Sequence, residues 1–463
     1  MRDFLKNIIK DESDFVELRF HENYVNSMLA QKGRVDQSST STQTGVGVRV
    51  MNNGAWGYSS TSIIEENAIK TAIGAARDAA KEMSECKREK VDDLEKIDLS
   101  NEEYIEAGYE SLLKLPLSEK MDKTIQAENE LHKKHSSIHM ASVCYSEIFE
   151  NKTIVSTDGA YCTRKLVRPE FKTIAYAGQN AEQQIAGRGV GVTGGWDCLF
   201  NHPSCENAIE ETAREAVDLL SASHVSGGKK KVILAPSLVG LLCHEAIGHT
   251  VEADFVMAGS VAKGKIGEKV GSELVTICDS GVPPFGGGPS GFLPFDDEGV
   301  ACSETKIIEN GILKNYLHDR ESAQRFGVQP KGNARAWGYA DETLIRMTNT
   351  YFMPGSKSLD EMISEIDDGL LVLGAGSGQA DATGEFMFGS SCAYEIKKGK
   401  KGKMFKEVTL SGVAFDVLQS VDAVSSEFCW DLGSGYCGKG QPAKVDAGGP
   451  YIRCELMVGG RIE

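Results

Sequence analysis

The sequence predicts an α+β protein in which antiparallel strands dominate and one helix carries the chemistry. Asn-Gly and Asp-Gly pairs stand between alternating apolar runs, which is the strongest short signal for β-hairpins. The long helical periodicities lie in the first half of the chain, whereas the second half is rich in strands and turns. We therefore expect an N-terminal mixed α/β domain with antiparallel strands, residues 1–228, and a C-terminal, mainly antiparallel β domain, residues 229–463, that carries the functional helix.

The composition is that of a globular protein of two or three domains. The chain has 463 residues, of which 41% are hydrophobic and 25% are charged. A formal net charge of −17 argues against nucleic acid as a direct partner, because phosphate binding needs basic surface. No apolar run approaches the roughly 20 residues that span a bilayer, and the N-terminus lacks the apolar core of a signal peptide. A cytoplasmic protein without a membrane partner is expected.

The elements of the N-terminal half are predicted from the spacing of apolar residues and from the residues that favour turns. The stretch FVELRFHE alternates as a strand does, and TSIIEENAIKTAIGAARDAAKEM has apolar residues at helical spacing. A second helix is expected from Ser118, and a third in SCENAIEETAREAVDLLSAS. Two hairpins are predicted, with their turns at Asn53–Gly54 and Asp158–Gly159.

The C-terminal half begins after a small, polar and basic segment, Ser223–Lys231, which has the composition of a linker. KVILAP then predicts a short buried strand, and Ser237 is a suitable N-cap for the helix that follows. Further hairpins are expected over Asn310–Gly311 and over the basic tip of AYEIKKGKKGKMFKEVTLSG.

The helix after Ser237 contains GLLCHEAIGHTVEAD, in which His244 and His249 are five residues apart and Glu245 follows the first histidine. On a regular helix, side chains five residues apart diverge by about 140°, so the two rings would point away from each other. A π-bulge, with roughly 4.4 residues per turn, brings them within about 50°, and such bulges often occur at functional sites. Gly248 lowers the cost of such a distortion. The spacing therefore suits a metal site only if this helix is locally widened.

Two interpretations of this helix stay open at this level. It is either a metal site or an ordinary helix that carries two histidines by chance. Glu252 and Asp254 are candidates for orienting histidine ligands through their ring N–H groups. For Glu252 we favour the simpler interpretation, a solvated acidic helix face.

The cysteines form no C-x-x-C pair and no cluster typical of a disulfide framework. Reduced cytosolic thiols, mostly small buried groups, are the simplest interpretation. One of them could be a metal ligand, and composition does not identify which. They lie at positions 86, 144, 162, 198, 205, 243, 278, 302, 392, 429, 437 and 454.

Several ordered blocks resemble the TldD/PmbA family, zinc metallopeptidases also described as modulators of DNA gyrase. HEAIGHTVEAD resembles the family signature, and the likeness extends over nearly the whole chain. The further blocks are GVGVRVMNNGAWGYSST, FDDEGVACSETKIIENGILKNYLHDRESA, GNARAW with RMTNTYFMPGS, GQADATGEFMFGSSCAYEI and GSGYCGKGQP.

The resemblance implies that His244, His249 and Cys437 bind Zn²⁺ and that Glu245 is the catalytic carboxylate. Cys437 is preferred as the third ligand because its flanking glycines and Lys439 match the family block. The alternative thiols are Cys243, Cys429 and Cys454.

The function implied is hydrolysis of unfolded peptides, with Glu245 moving the proton of a zinc-activated water to the leaving amine. Peptides would be held largely through their backbone, by addition to a free strand edge. The family also implies a homodimer, or a heterodimer with a paralogous PmbA/TldE-like subunit. Two alternatives are a non-catalytic or partner-dependent regulatory subunit of such a complex and a metal hydrolase for another amide bond.

Overall fold

The α+β fold class is confirmed by the computed structural model, which describes residues 1–87, 90–91 and 93–459. In the N-terminal half a long antiparallel sheet carries helices on its surface. Its elements are α1 (Arg2–Ile9), β1 (Phe15–Gln31), β2 (Arg34–Asn52), β3 (Ala55–Thr61), α2 (Glu66–Cys86), β4 (Glu103–Ile105), α3 (Tyr109–Lys114), α4 (Leu117–Lys133), β5 (Ile138–Ser156), β6 (Tyr161–Gln179), β7 (Glu182–Gly191), α5 (Trp196–Phe200), α6 (Pro203–Glu206) and α7 (Ala208–Asp218).

The C-terminal half is richer in short strands. Its elements are β8 (Ser223–His224), β9 (Gly228–Leu234), α8 (Pro236–Leu241), α9 (Ala253–Ala258), β10 (Ile277–Asp279), β11 (Thr305–Glu309), β12 (Ile312–Leu313), α10 (Arg320–Phe326), β13 (Ala334–Arg335), β14 (Leu344–Ile345), β15 (Asn349–Phe352), α11 (Leu359–Ser364), β16 (Asp368–Ala380), β17 (Glu385–Lys397), β18 (Lys400–Val413), α12 (Ala414–Gln419), β19 (Ala423–Val424), β20 (Cys429–Trp430), β21 (Tyr436–Gly438), β22 (Pro442–Lys444), β23 (Asp446–Gly449) and β24 (Ile452–Gly459).

The N-terminal sheet has the strand order β3-β2-β1-β5-β6-β4, and β7 pairs with β6. The predicted hairpin between β2 and β3 is confirmed, and its turn residues Asn53 and Gly54 have φ values of 48° and 74°. These positive angles are what a tight hairpin turn requires of its central residues. The hairpin between β5 and β6 is confirmed as well.

The main C-terminal sheet has the order β19-β24-β9-β16-β17-β18-β8, and an additional pairing of β24 with β18 closes it on itself. A second sheet, β12-β11-β10-β15-β23-β20, lies beside it. Helix α8 contacts strands of both sheets, β16 of the first and β15, β23 and β20 of the second. The segment that carries both histidines follows α8 and contacts β15, β16 and β17, so it also lies between the two sheets.

Two local predictions are wrong. Ser223–Lys231 is not a linker, because Ser223–His224 pairs with β18 and Gly228–Leu234 is a central strand between β16 and β24. Ser237 is not the N-cap, since α8 begins at Pro236 after Ala235. The Ser237 hydroxyl instead accepts a hydrogen bond from the backbone of Ala375. The division of the chain near residue 228 stays a prediction.

The acidic segment at Asp296–Glu298 joins the two halves. Arg164 and Lys152, on β6 and β5, donate hydrogen bonds to the Asp297 carboxylate, at 2.6 and 3.1 Å. Arg49 on β2 binds Glu298 at 2.6 Å. All of these side chains are at least about nine-tenths buried, so the contact is a buried ionic one. Within the residues described, no helix has both the length and the apolar character needed to cross a membrane.

Gly57 on β3 lies directly under α2, and we expect the Gly57→Ala variant to be less stable. A Cβ atom there would lie 1.8 Å from the Ala76 carbonyl oxygen and 2.4 Å from the Ala80 nitrogen, which forces α2 away from the sheet. Overpacking of this kind costs about 1–3 kcal/mol. Thermal unfolding of the purified variant measures the effect.

Gly74→Ala, on α2 itself, is the matched control. No atom lies within 4 Å of a Cβ at Gly74, so the alanine should stabilise the helix by up to about 1 kcal/mol. Equal midpoints for the two variants would contradict the packing of α2 on Gly57.

Candidate metal centre

The helix that carries the two histidines is locally widened, as the five-residue spacing predicts. Residues Leu242–Gly248 form a π-helical segment, and the N–H of His249 donates to the carbonyl of His244, five residues earlier. The two imidazoles meet edge to face with their ring centres 5.2 Å apart. The wide turn thus places side chains together that a regular helix would separate.

Gly248 lies in this turn for a different reason from the one expected. Its backbone angles, φ −54° and ψ −53°, are ordinary right-handed ones that any residue adopts. What requires glycine is the close approach of Met347, because a Cβ at this position would lie 1.9 Å from the Met347 sulfur. The glycine therefore lets the wide turn pack tightly against the chain beside β14.

Cys437 joins the two histidines from 188 residues further along the chain. It lies in the hairpin of β21 and β22, and its Sγ is 3.2 Å from His249 Nε2. Nitrogen and sulfur donors of His244, His249 and Cys437 all lie within 4.8 Å of one another. Tetrahedral zinc, with bonds of about 2.0–2.3 Å, separates its donors by about 3.4–3.6 Å.

The ring nitrogens of His244 are free to bind a metal. Both ring nitrogens of His244 are buried and, among the described residues, have no hydrogen-bond partner. Buried polar atoms are normally paired, so an unpaired imidazole at this place fits a ligand that binds an ion. In the described chain the other candidate thiols, Cys243, Cys429 and Cys454, are not part of this group.

The electrostatics of the group favour a cation. Burial on its own would raise the pKa of the Cys437 thiol, but the imidazoles of His244 and His249 lower it to about 4. Burial acts to lower the pKa of His249, while its contacts with Cys437 and Glu252 raise it to about 10. The site thus contains a thiolate beside a proton-binding imidazole, and metal ions replace protons at ligands of this type.

Glu252 is not on a solvated helix face, contrary to the interpretation favoured from the sequence. The residue is 0% exposed, and its Oε2 accepts from His249 Nδ1 at 3.0 Å and from Lys439 Nζ at 3.0 Å. Lys439 also binds the Asp254 carboxylate and the Ile345 carbonyl, each at 2.9 Å. Sequence spacing contained one signal for this contact, since Glu252 lies one helical turn after His249.

Glu245 projects towards the open side of the group. Its side chain is 27% exposed, and its Oε2 is 3.9 Å from His249 Nε2. A carboxylate beside the ligand atoms and in contact with solvent could accept a proton from water that a metal held by these ligands would acidify. The structure therefore brings together all four residues that the sequence singled out.

Family models match the chain in three consecutive segments. Residues 16–80 match PmbA/TldA metallopeptidase domain 1, residues 110–222 the central domain, and residues 227–460 the C-terminal domain. The chain belongs to the PmbA/TldD metallopeptidase family.

Curated relatives agree with this membership over nearly their whole length. A metalloprotease of Methanocaldococcus jannaschii is 34% identical, covering 95% of this chain and 96% of its own. A protein of Saccharolobus solfataricus named zinc metalloprotease TldD homolog is 28% identical, covering 99% of both.

Two crystal structures share the fold. One is a putative modulator of DNA gyrase from Thermotoga maritima, with a TM-score of 0.80 and 24% identity over 99% of both chains. The other is TldE from Thermococcus kodakarensis, with a TM-score of 0.78 and 18% identity, covering 99% of this chain and 100% of that one.

We expect Glu252→Gln to weaken metal binding by about 10–100-fold, because the amide holds the ring of His249 less firmly than the carboxylate does. Titration with Co²⁺, followed by its absorption spectrum, measures the affinity.

Asp254→Asn is the control, since Asp254 also binds Lys439 but is 38% exposed and has no contact with His249 among the hydrogen bonds of the described residues. Its Co²⁺ affinity should change less than threefold. Equal losses in the two variants would show that Lys439, rather than the histidine contact, accounts for the effect.

Proposed function

We propose that this protein is a cytoplasmic zinc-dependent metallopeptidase that hydrolyses unfolded peptides. The observation that carries the proposal is the convergence of His244, His249 and Cys437, with Glu245 beside them on the solvent side. Three protein ligands with one open position are typical of catalytic zinc sites, whereas structural sites use four.

The donor set favours Zn²⁺ over the harder divalent ions. Imidazole nitrogen and thiolate sulfur suit zinc, while Mg²⁺ and Ca²⁺ prefer oxygen ligands. Glu252 accepts from the outer nitrogen of His249, as carboxylates do behind zinc-bound histidines. A bound Zn²⁺ would supply a Lewis acid that acidifies water and polarises a peptide carbonyl.

Glu245 is proposed to move the proton of the reaction. Its carboxylate would accept a proton from the attacking water and deliver it to the nitrogen of the departing amine. A thiolate ligand leaves less positive charge on the metal than a third histidine would, so the contribution of this base should be large.

An unfolded peptide is the proposed substrate because a strand edge lies beside the ligand Cys437. Within the described chain β21 pairs with β22 alone, so its other edge has no strand partner. Backbone hydrogen bonding of this kind demands little of the peptide sequence and cannot be made by a folded protein. All twelve cysteines are free thiols, which suits a reducing cytoplasm.

The second candidate function is a regulatory or partner-dependent subunit. It is favoured by the fold shared with TldE and disfavoured by the intact set of three ligands and Glu245. A homodimer, or a heterodimer with a TldE-like chain, is proposed as the assembly. Peptide hydrolysis by the purified chain, alone and mixed with such a subunit, separates the two functions.

We expect Glu245→Gln to bind one Zn²⁺ per chain and to hydrolyse peptides at least about 10²–10⁴-fold more slowly than the wild type, because the amide cannot accept the proton of water. Metal analysis and digestion of a mixture of unfolded peptides provide the two measurements. Full hydrolysis by this variant would exclude Glu245 as the base.

We expect Cys437→Ala to contain much less than one Zn²⁺ per chain after dialysis, because two histidines alone hold zinc weakly. Cys454→Ala is the matched control. Cys454 is also fully buried but lies on β24, outside the ligand group of the described residues, and should retain zinc. The reverse result would reassign the third ligand.

A further inference from the structure

A polar cavity lies between the two halves, next to the hairpin that carries Cys437. It opens among β5, β6, β13 and β22. Six cationic side chains line it, Lys152, Arg164, Arg168, Arg335, Arg346 and Lys444, and all are buried. We call it the basic cavity.

All four arginines donate to backbone carbonyls, and Arg164 does so in addition to its bond with Asp297. Arg335 donates to the carbonyls of Met347 and Lys444, and Arg168 to those of Ser290 and Phe292. Carbonyl groups orient a guanidinium but do not neutralise it, so these contacts leave the charge in place.

Arg346 is also held by backbone carbonyls, and one of its N–H donors is unused. It is 1% exposed and donates from Nη1 to the Gln441 carbonyl and from Nη2 to the Cys437 carbonyl, at 2.8 and 2.7 Å. Its Nε has no hydrogen-bond partner in the described part of the chain. A buried charged donor without an acceptor is costly, so this N–H is available to donate to a bound group.

The carboxylates around the basic cavity are too few to balance it. Asp297 is occupied by Lys152 and Arg164, and Glu170 by Lys444. Glu150 is the acidic residue that lines the cavity, and it is shared by Lys152, Arg164 and Arg168.

The excess positive charge affects the pKa of Arg335. Burial, followed by the repulsion of Arg168 and Arg346, lowers the pKa of Arg335 to about 10. No carboxylate of the described residues forms an ion pair with Arg335 or Arg346 within 4 Å. One added negative charge would therefore be stabilised by several cations in a site of low dielectric constant.

The free space limits the size of the anion. About 20 Å³ of the basic cavity can take the centre of a water molecule, and one water needs about 10–15 Å³ on that measure. A tetrahedral phosphate or a nucleotide needs more room. A carboxylate matches the guanidinium fork in shape and charge, and each of its oxygens is about the size of the water molecule that the space admits.

We propose that the basic cavity is a binding site for a carboxylate group that accepts hydrogen bonds from Arg346 and Arg335. The carboxylate belongs either to a small free acid or to the C-terminus of a peptide, and the second source rests on the proposed peptidase function. Arg346 links the cavity to the metal centre, since the same guanidinium holds the carbonyl of Cys437. A bound carboxylate would thus fix the strand that presents the thiolate.

The test measures acetate binding to the zinc-loaded full chain by its effect on the thermal midpoint. Acetamide serves as the neutral control, and sodium sulfate, whose anion is too large for the cavity, keeps the ionic strength constant. Acetate should raise the midpoint of the wild type, and acetamide should not. The absence of an acetate effect in the wild type would overturn the proposal.

Arg346→Gln should raise the dissociation constant of acetate at least tenfold. Arg453→Gln is the matched control, because Arg453 is ion-paired with Asp422 and Glu365 outside the cavity. This variant should leave the dissociation constant of acetate unchanged. An acetate effect of equal size in Arg346→Gln would place the acetate elsewhere, for example on the zinc, and would refute the site.

A measurement on the wild type covers the possibility that Arg346→Gln does not fold. Crystals soaked in sodium bromide should show an anomalous peak between Arg335 and Arg346, and added acetate should remove it. A cavity without such a peak, or with one that acetate does not displace, would contradict the proposal.

The source of the carboxylate is decided with peptides. If it is the peptide C-terminus, amidation of that terminus should raise KM about tenfold in the wild type and not in Arg346→Gln. Equal KM values for the acid and the amide assign the site to a small free acid. If neither peptide is hydrolysed, the proposed function fails. The acetate measurements still decide whether the cavity binds a carboxylate.

Discussion

The metal centre depends on one backbone hydrogen bond, from the N–H of His249 to the carbonyl of His244. The turn closed by this bond contains about 4.4 residues instead of 3.6, which points two otherwise divergent imidazoles towards each other. The widened segment is held because it is buried between two sheets and because Gly248 admits Met347 at close range. A local deformation that would be unfavourable in isolation is therefore stabilised by the packing around it.

Charged side chains hold the ligands from behind. Glu252 holds the outer nitrogen of His249 and is itself held by Lys439, while Arg346 donates to the carbonyl of Cys437. Each of these side chains is buried or nearly so, and each contact is a charge-assisted hydrogen bond, which is stronger and more directional than a neutral one. The histidines and the cysteine come from distant parts of the chain, so such contacts are needed to keep three donors within the reach of one ion.

The same principle joins the two halves of the protein. The segment Asp296–Glu298, which the sequence shows only as an acidic stretch, receives Arg49, Lys152 and Arg164 from the N-terminal sheet. Next to this junction, the six cations that line the basic cavity outnumber the carboxylates around it. The interface between the halves and the metal centre are thus neighbours, separated by the hairpin that contains Cys437.

Local patterns predicted the local structure well. The hairpin turns at Asn53–Gly54 and Asp158–Gly159 and the helix of α2 follow from turn chemistry and period, which act over a few residues. The predictions that were wrong concerned contacts made across the fold. Ser237 bonds a strand of the C-terminal sheet rather than a helix end, and Glu252 is covered by Lys439 from far along the chain. The segment Ser223–Lys231 has the composition of a linker, yet it contains paired strand residues, because neighbouring strands supply the backbone hydrogen bonds.

The sequence by itself determined the α+β class, the hairpins, and the need for a widened turn, since the five-residue spacing of His244 and His249 permits no shared ion on a regular helix. Family blocks, and not spacing, indicated Cys437 among twelve cysteines. Only the tertiary structure decided that its thiol lies 3.2 Å from His249, that Glu252 is buried, and that a cluster of cations surrounds a cavity. The reason is physical: periodicity reports which face of an element is buried, whereas the partner of a buried charge is set by how distant elements pack.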